Sequence, residues 1–84
     1  MIPKKHMFVK HRSVMGKEYL VNKREAFQLD DVGAVIWRNI NGKDSPEVIA
    51  KNVAEHFSCD EIVVKDDVNE YINELVENNL VKFL

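Results

Sequence analysis

Leu29-Asp30-Asp31-Val32-Gly33-Ala34-Val35-Ile36-Trp37 is the stretch across which the hydrophobic period of this chain changes. Upstream, apolar and polar residues alternate, as in a half-buried strand; downstream, apolar residues recur every three to four positions, as on a helix face. The chain is therefore expected to form strands first and helices after. Asp30 carries the side chain of a helix N-cap, and Val32, Val35, Ile36 and Ile40 follow at helical spacing with Trp37 alongside, which predicts the first helix of a core. Gly33 is out of place there. A glycine inside a helix costs about 1 kcal/mol relative to alanine, so it marks a close backbone approach to a strand or another helix.

Working outward towards the N-terminus, Glu25 to Leu29 alternates, with Phe27 and Leu29 on one face and Ala26 and Gln28 on the other. It is short enough to be an edge strand. Asn22-Lys23-Arg24 supplies a polar turn, and Lys17 to Asn22 places Tyr19 and Val21 opposite Leu20, a composition suited to a second strand. Ser13 to Gly16 reads as a connection, with a further strand expected at Met7 to His11 and Pro3 keeping the extreme N-terminus out of a helix. Together these predict a three-stranded antiparallel meander.

Towards the C-terminus, Asn41-Gly42 is expected to end the first helix, because glycine accepts the left-handed conformation that closes helices. Ser45-Pro46-Glu47 opens the second with an N-cap serine, a first-position proline and a first-turn acid; Ile49, Ala50, Val53, Ala54 and Phe57 supply its buried stripe. Ser58 and Glu61 have the spacing of a capping box for a third helix, with Val64, Val68, Tyr71, Ile72 and Leu75 on one face. Asn78-Asn79 ends it. Leu80 to Leu84 is an apolar tail that must pack somewhere.

The 84 residues are expected to form one domain with one small core and little room for a deep active site. No apolar run approaches the roughly 20 residues of a membrane span, and Met-Ile-Pro-Lys-Lys-His at the start is unlike a signal peptide. With Cys59 as the single cysteine, the expectation is a cytoplasmic protein without disulfides. The net charge of −2 conceals a strong asymmetry: residues 1 to 29 hold seven Lys/Arg against two Glu, and residues 60 to 79 hold seven Asp/Glu against Lys65 alone. Such a dipole biases the orientation of charged partners.

Catalytic patterns are missing. His56-x-x-Cys59 has ligand-like spacing, but two ligands fall short of the four in a structural zinc site, and His6 and His11 are expected on a distant strand. Asp66, Asp67, Glu70, Glu74 and Glu77 read as the solvated side of an amphipathic helix, and no Gly-rich phosphate loop is present. The expectation is a non-enzyme with no metal and no cofactor. Strands followed by helices also suit a winged-helix DNA-binding regulator, the alternative reading. Phosphate contacts need cations on the groove-entering helix, however, and the second helix has Lys51 as its one clear cation while the third is strongly acidic.

Glu-Tyr-Leu-Val-Asn (Glu18 to Asn22), Phe-x-Leu-Asp (Phe27 to Asp30), Val-Gly-Ala-x-Ile-Trp (Val32 to Trp37), Asn41-Gly42, the Ser-Pro-Glu-x-Ile start and Asp-Val-x-x-Tyr-Ile-x-x-Leu (Asp67 to Leu75) follow in an order that resembles the PqqD family over nearly the whole chain. Asp30 stands where the family often has asparagine, and Asn79 where glycine is common. The resemblance implies a RiPP recognition element: an α+β, winged-helix-like domain with a three-stranded antiparallel sheet followed by three helices. It further implies binding of the leader of a ribosomally made precursor peptide as an added strand, and delivery to a modifying enzyme or leader protease. Those partners would be a lasso-peptide protease and cyclase or a radical SAM maturase, with no nucleic acid and no membrane. Carried onto this chain, Glu25, Ala26, Phe27, Gln28 and Leu29 are the docking edge, and Asp67, Val68, Tyr71, Ile72 and Leu75 form or support the groove. Ala26, Gln28, Asp67 and Tyr71 are expected to touch the leader directly, and Phe27, Leu29, Val68 and Leu75 to act as core.

Overall fold

The structure is a computed structural model that describes every residue, Met1–Leu84. The elements run β1 (Pro3–Lys5), β2 (Lys10–Val14), β3 (Lys17–Asn22), β4 (Glu25–Leu29), α1 (Asp31–Asn39), α2 (Pro46–His56), α3 (Glu61–Glu77) and β5 (Val81–Phe83). Strands β2, β3 and β4 form the expected antiparallel meander, with β3 in the centre and β2 and β4 as edges. The fold is α+β, as expected.

Helix α1 starts as its sequence requires. The Asp30 carboxylate accepts from the Gly33 amide at 2.6 Å, satisfying a donor that the first turn leaves free. Gly33, Ala34, Val35, Ile36 and Trp37 are all buried, because α2, α3 and β4 pack against the helix. Ser45 caps α2 with Pro46 in its first turn, and α2 contributes Ile49, Ala50 and Val53 to the core. Along α3 the buried positions are Val68, Ile72 and Leu75. No polar or charged side chain is buried, so apolar packing alone holds the interior.

Three expectations are corrected. The first strand of the meander is Lys10–Val14, not Met7 to His11: Met7 and Phe8 lie in a turn, His6 precedes that turn, and His11 is on β2. The connection shrinks from Ser13–Gly16 to two residues because Met15 (φ 51°) and Gly16 (φ 80°) both adopt the left-handed region that a tight hairpin turn needs. Helix α1 ends at Asn39, two residues early. Ile40 turns extended to bury its side chain, and the Asn41 carboxamide accepts from the Lys43 and Asp44 amides, folding a turn of its own.

The third correction concerns Ser58. It adopts φ 54° and closes α2, with the Cys59 amide donating to the Ala54 carbonyl at 2.9 Å, so Asp60 and not Ser58 caps α3. The C-terminal tail packs as expected. Leu80 and Val81 are buried, and β5 pairs antiparallel with β1 in a second, two-stranded sheet. Asn79 takes φ 60° at the end of α3, a conformation that asparagine tolerates in place of glycine, and so turns the chain into β5.

Candidate functional site

A three-stranded sheet leaves two edges unpaired, and these two differ. All five residues of β2 are exposed, so a strand added there would gain backbone bonds and nothing for its side chains. Strand β4 instead has Leu29 buried and Phe27 half-buried on its inner face, with Glu25, Ala26 and Gln28 exposed.

The ladder fixes which backbone groups are free. Two-residue turns join Val14 to Lys17 and Asn22 to Glu25, and the pair flanking such a turn exchanges both hydrogen bonds. By alternation, residues 17, 19 and 21 of β3 bond to β2, and residues 18, 20 and 22 bond to β4. On β4, Glu25, Phe27 and Leu29 therefore turn their amides and carbonyls inward, while Ala26 and Gln28 present theirs at the open edge.

Beyond that edge stands α3, which packs on α2, β5 and α1 rather than along β4. A concavity opens at each end of the intervening cleft. The larger, about 820 Å³, is lined by the β3–β4 turn (Asn22 to Glu25), Asn78 and Asn79 after α3, His6, Met7 and Phe8 after β1, and Lys82. Asn22 Nδ2 donates to the Asn79 carbonyl across it at 3.4 Å. The smaller, about 340 Å³, is lined by Asp30, Val32, Gly33 and Ile36 from α1 and by Asp67, Glu70, Tyr71 and Glu74 from α3. Strand and helix thus run in opposite directions along the cleft, with Asn78 beside Glu25 and Tyr71 beside Asp30.

Tyr71 explains Gly33. A Cβ built on Gly33 would lie 2.8 Å from the Tyr71 ring carbon Cζ, closer than non-bonded carbons approach. The glycine therefore lets the phenol lie against the first turn of α1. Burial, reinforced by the Asp30 and Glu74 carboxylates, pushes the Tyr71 hydroxyl up to about 12. It stays neutral at any physiological pH and can donate a hydrogen bond to a ligand.

The cleft brings together part of the expected site. Glu25 lines the larger concavity, Asp67 and the half-buried Tyr71 line the smaller, and Ala26 and Gln28 are exposed on the stretch of β4 between them. Leu29, Val68, Ile72 and Leu75 are 5% exposed or less and Phe27 packs against the core, so the free protein offers these five as support beneath the groove. Ile72, expected to form or support the groove, is among these supporting positions. Asp30 and Gly33 were read for helix geometry alone, and His6, Met7, Phe8 and Lys82 were not associated with the groove at all. Their residue types gave no signal, because only the β1–β5 pairing carries them to one end of β4.

Elsewhere, no three His, Cys, Asp or Glu side chains are grouped so as to hold a metal ion; Cys59 is exposed, and the His56 ring meets Phe57 edge-on at 4.8 Å. No helix is long and apolar enough to cross a membrane.

Comparison with known proteins agrees with this geometry. The sequence model of the family described as coenzyme PQQ synthesis protein D (PqqD) matches residues 19–81. Three solved structures share the fold. The solution NMR structure of the PqqD truncation of Methylobacterium extorquens PqqCD, described as a functional, stand-alone RiPP recognition element, superposes with a TM-score of 0.82 at 18% identity, covering 98% of this chain and 89% of that one. TbiB1 in complex with the TbiA(beta) leader peptide gives 0.80 at 23% identity, covering 96% of each chain. Lasso peptide synthetase B1 complexed with its leader peptide gives 0.81 at 18%, covering 99% of this chain and all of that one. No curated protein matches the chain.

Proposed function

Because this chain belongs to the PqqD family, whose members are non-catalytic domains that bind leader peptides in the biosynthesis of ribosomally synthesised and post-translationally modified peptides, we propose that it captures its leader as a fourth strand on the open edge of β4. The observation that carries the proposal is the pairing of that edge with the cleft walled by α3. Backbone bonds to Ala26 and Gln28 supply affinity that tolerates sequence variation, and leader side chains entering the cleft beside Asp67 and Tyr71 supply specificity. Phe27, Leu29, Val68, Ile72 and Leu75 hold strand and helix at the separation a peptide needs. The leader orders as it docks, so part of the contact energy offsets its lost conformational entropy and the complex stays reversible. Reversibility suits an adaptor that hands the peptide to a modifying enzyme or leader protease. Two of the similar structures contain leader peptides, and one belongs to a lasso peptide synthetase, which supports a lasso-type partner.

Hydrogen exchange tests the docking mode. A candidate leader should slow exchange at the amides of Ala26 and Gln28, the two at the open edge. Protection confined to α2, or equal protection along β2, would reject strand addition at β4.

A further inference from the structure

In sequence, the basic first half and the acidic third helix look like rival surfaces for partners of opposite charge. In the fold they meet at opposite ends of one cleft. Lys23, Arg24, Lys82 and His6 line the end beside Glu25, with Glu25 the one carboxylate among them. Asp30, Asp67, Glu70 and Glu74 line the end beside Leu29, with no Lys or Arg. None of these charged side chains takes part in an ion pair within the protein, where the ion pairs are those of Glu18 with His11 and Arg38. Of the four carboxylates at the acidic end, only Asp30 makes a side-chain hydrogen bond, to the Gly33 amide. Both ends therefore present charge that a docked chain can neutralise.

We propose that the cleft selects its leader by charge polarity: a cationic side chain docks at the Asp30–Asp67–Glu70–Glu74 end and an anionic one at the Lys23–Arg24–Lys82 end. The inference rests on strand addition at β4. The two ends are separated by the length of β4, five residues or about 15 Å, so the charges stand five to seven residues apart in an extended leader. Pairing in this sheet is antiparallel throughout, and antiparallel ladders are the more stable per residue. An antiparallel leader enters beside Leu29 and leaves beside Glu25, so the cationic residue precedes the anionic one. Met7 and Phe8, 85% and 79% exposed at the basic end, offer apolar surface to side chains next to the anionic residue. Charges at the two ends act on orientation and encounter more than on the docked contacts, so the selection weakens as salt screens them.

Two short labelled peptides of identical composition decide it. Both have an alternating Thr/Val/Tyr centre; one starts with Lys-Lys and ends with Glu-Glu, and the other has these ends exchanged. Fluorescence anisotropy in about 50 mM salt should show the Lys-first peptide binding at least about tenfold tighter, with the gap shrinking below about threefold near 0.5 M. The protein carrying Glu70→Lys, Glu74→Lys, Arg24→Glu and Lys82→Glu, all at exposed positions, should invert the preference. Equal binding of the two peptides, with Ala26 and Gln28 protected from exchange by both, would overturn charge polarity and leave strand addition standing. A preference for the Glu-first peptide would overturn the antiparallel order. Binding without protection of Ala26 and Gln28 would overturn strand addition itself, and binding of neither peptide would overturn charge complementarity as a determinant of docking.

Discussion

Replacing Gly33 by alanine pits two effects of known size against each other. Alanine in a helix interior is favoured over glycine by about 1 kcal/mol, so helix propensity alone predicts a stabilised protein. The new methyl group, however, would stand 2.8 Å from Tyr71 Cζ and 3.0 Å from the Asp30 carboxylate, against about 3.5–4.0 Å for unstrained contact. The peptide backbone of α1 is fixed between sheet and helices, so the ring must yield. Its open direction is outward into the cleft, which exposes at most its buried half. A tyrosine buries about 150–250 Å², so half is about 100 Å², or about 2.5 kcal/mol at about 25 cal/mol per Å². The ceiling on the net effect is a loss of about 1.5 kcal/mol, seen as a melting temperature lower by up to about 6–12 °C in a domain of this size. Circular-dichroism melts and urea titrations of the four members of a double-mutant cycle test it. With Tyr71→Ala in place only the 3.0 Å approach to Asp30 remains, and Gly33→Ala should then cost less or stabilise by up to about 1 kcal/mol. Substitutions whose effects add would refute the claim that Tyr71 is the reason for the glycine.

Leu80→Ala should cost about 2–5 kcal/mol by urea denaturation, because Leu80 is 1% exposed where the chain enters β5; a loss under about 1 kcal/mol would mean that the β1–β5 sheet is dispensable. The pH response of Tyr71 follows from its position. An acid held at about 12 in the folded chain and near 10.0 when unfolded gives stability that is complete below pH 10 and is lost as pH rises from 10 towards 12. Tyr71→Phe should flatten that decline and remove the late phase of tyrosinate absorbance; an identical alkaline profile in both proteins would exclude the clustered Asp30, Glu74 and Tyr71 as its source.

How much of this was legible beforehand depends on the range of the interaction. Asp30 as a cap, Ser45-Pro46 as a helix start, the alternation of Glu25 to Leu29 and the stripe of α3 are set within a few residues by the repeat of the backbone, and all stand in the structure. Sequence also established that Gly33 needed a close neighbour, since nothing local justifies glycine there. Which neighbour it was, only the tertiary structure decided: Tyr71 lies 38 positions away and reaches Gly33 because α3 packs across α1. Local signals also compete, and packing arbitrates. Ser58 has the chemistry to cap α3, but the end of α2 takes it in a left-handed conformation and leaves the cap to Asp60. The tails gave the least local information, because a three-residue strand has almost no periodicity; Pro3–Lys5 becomes a strand through its pairing with Val81–Phe83 at the other end of the chain. That pairing carries Lys82 and the Met7–Phe8 turn to the basic end of the cleft, while the α1–α3 contact assembles its acidic end. The sequence by itself determined β3, β4 and the three helices, their order and the charge each carries; the β1–β5 sheet and the arrangement of charge along one groove arose from long-range packing, which no local periodicity encodes.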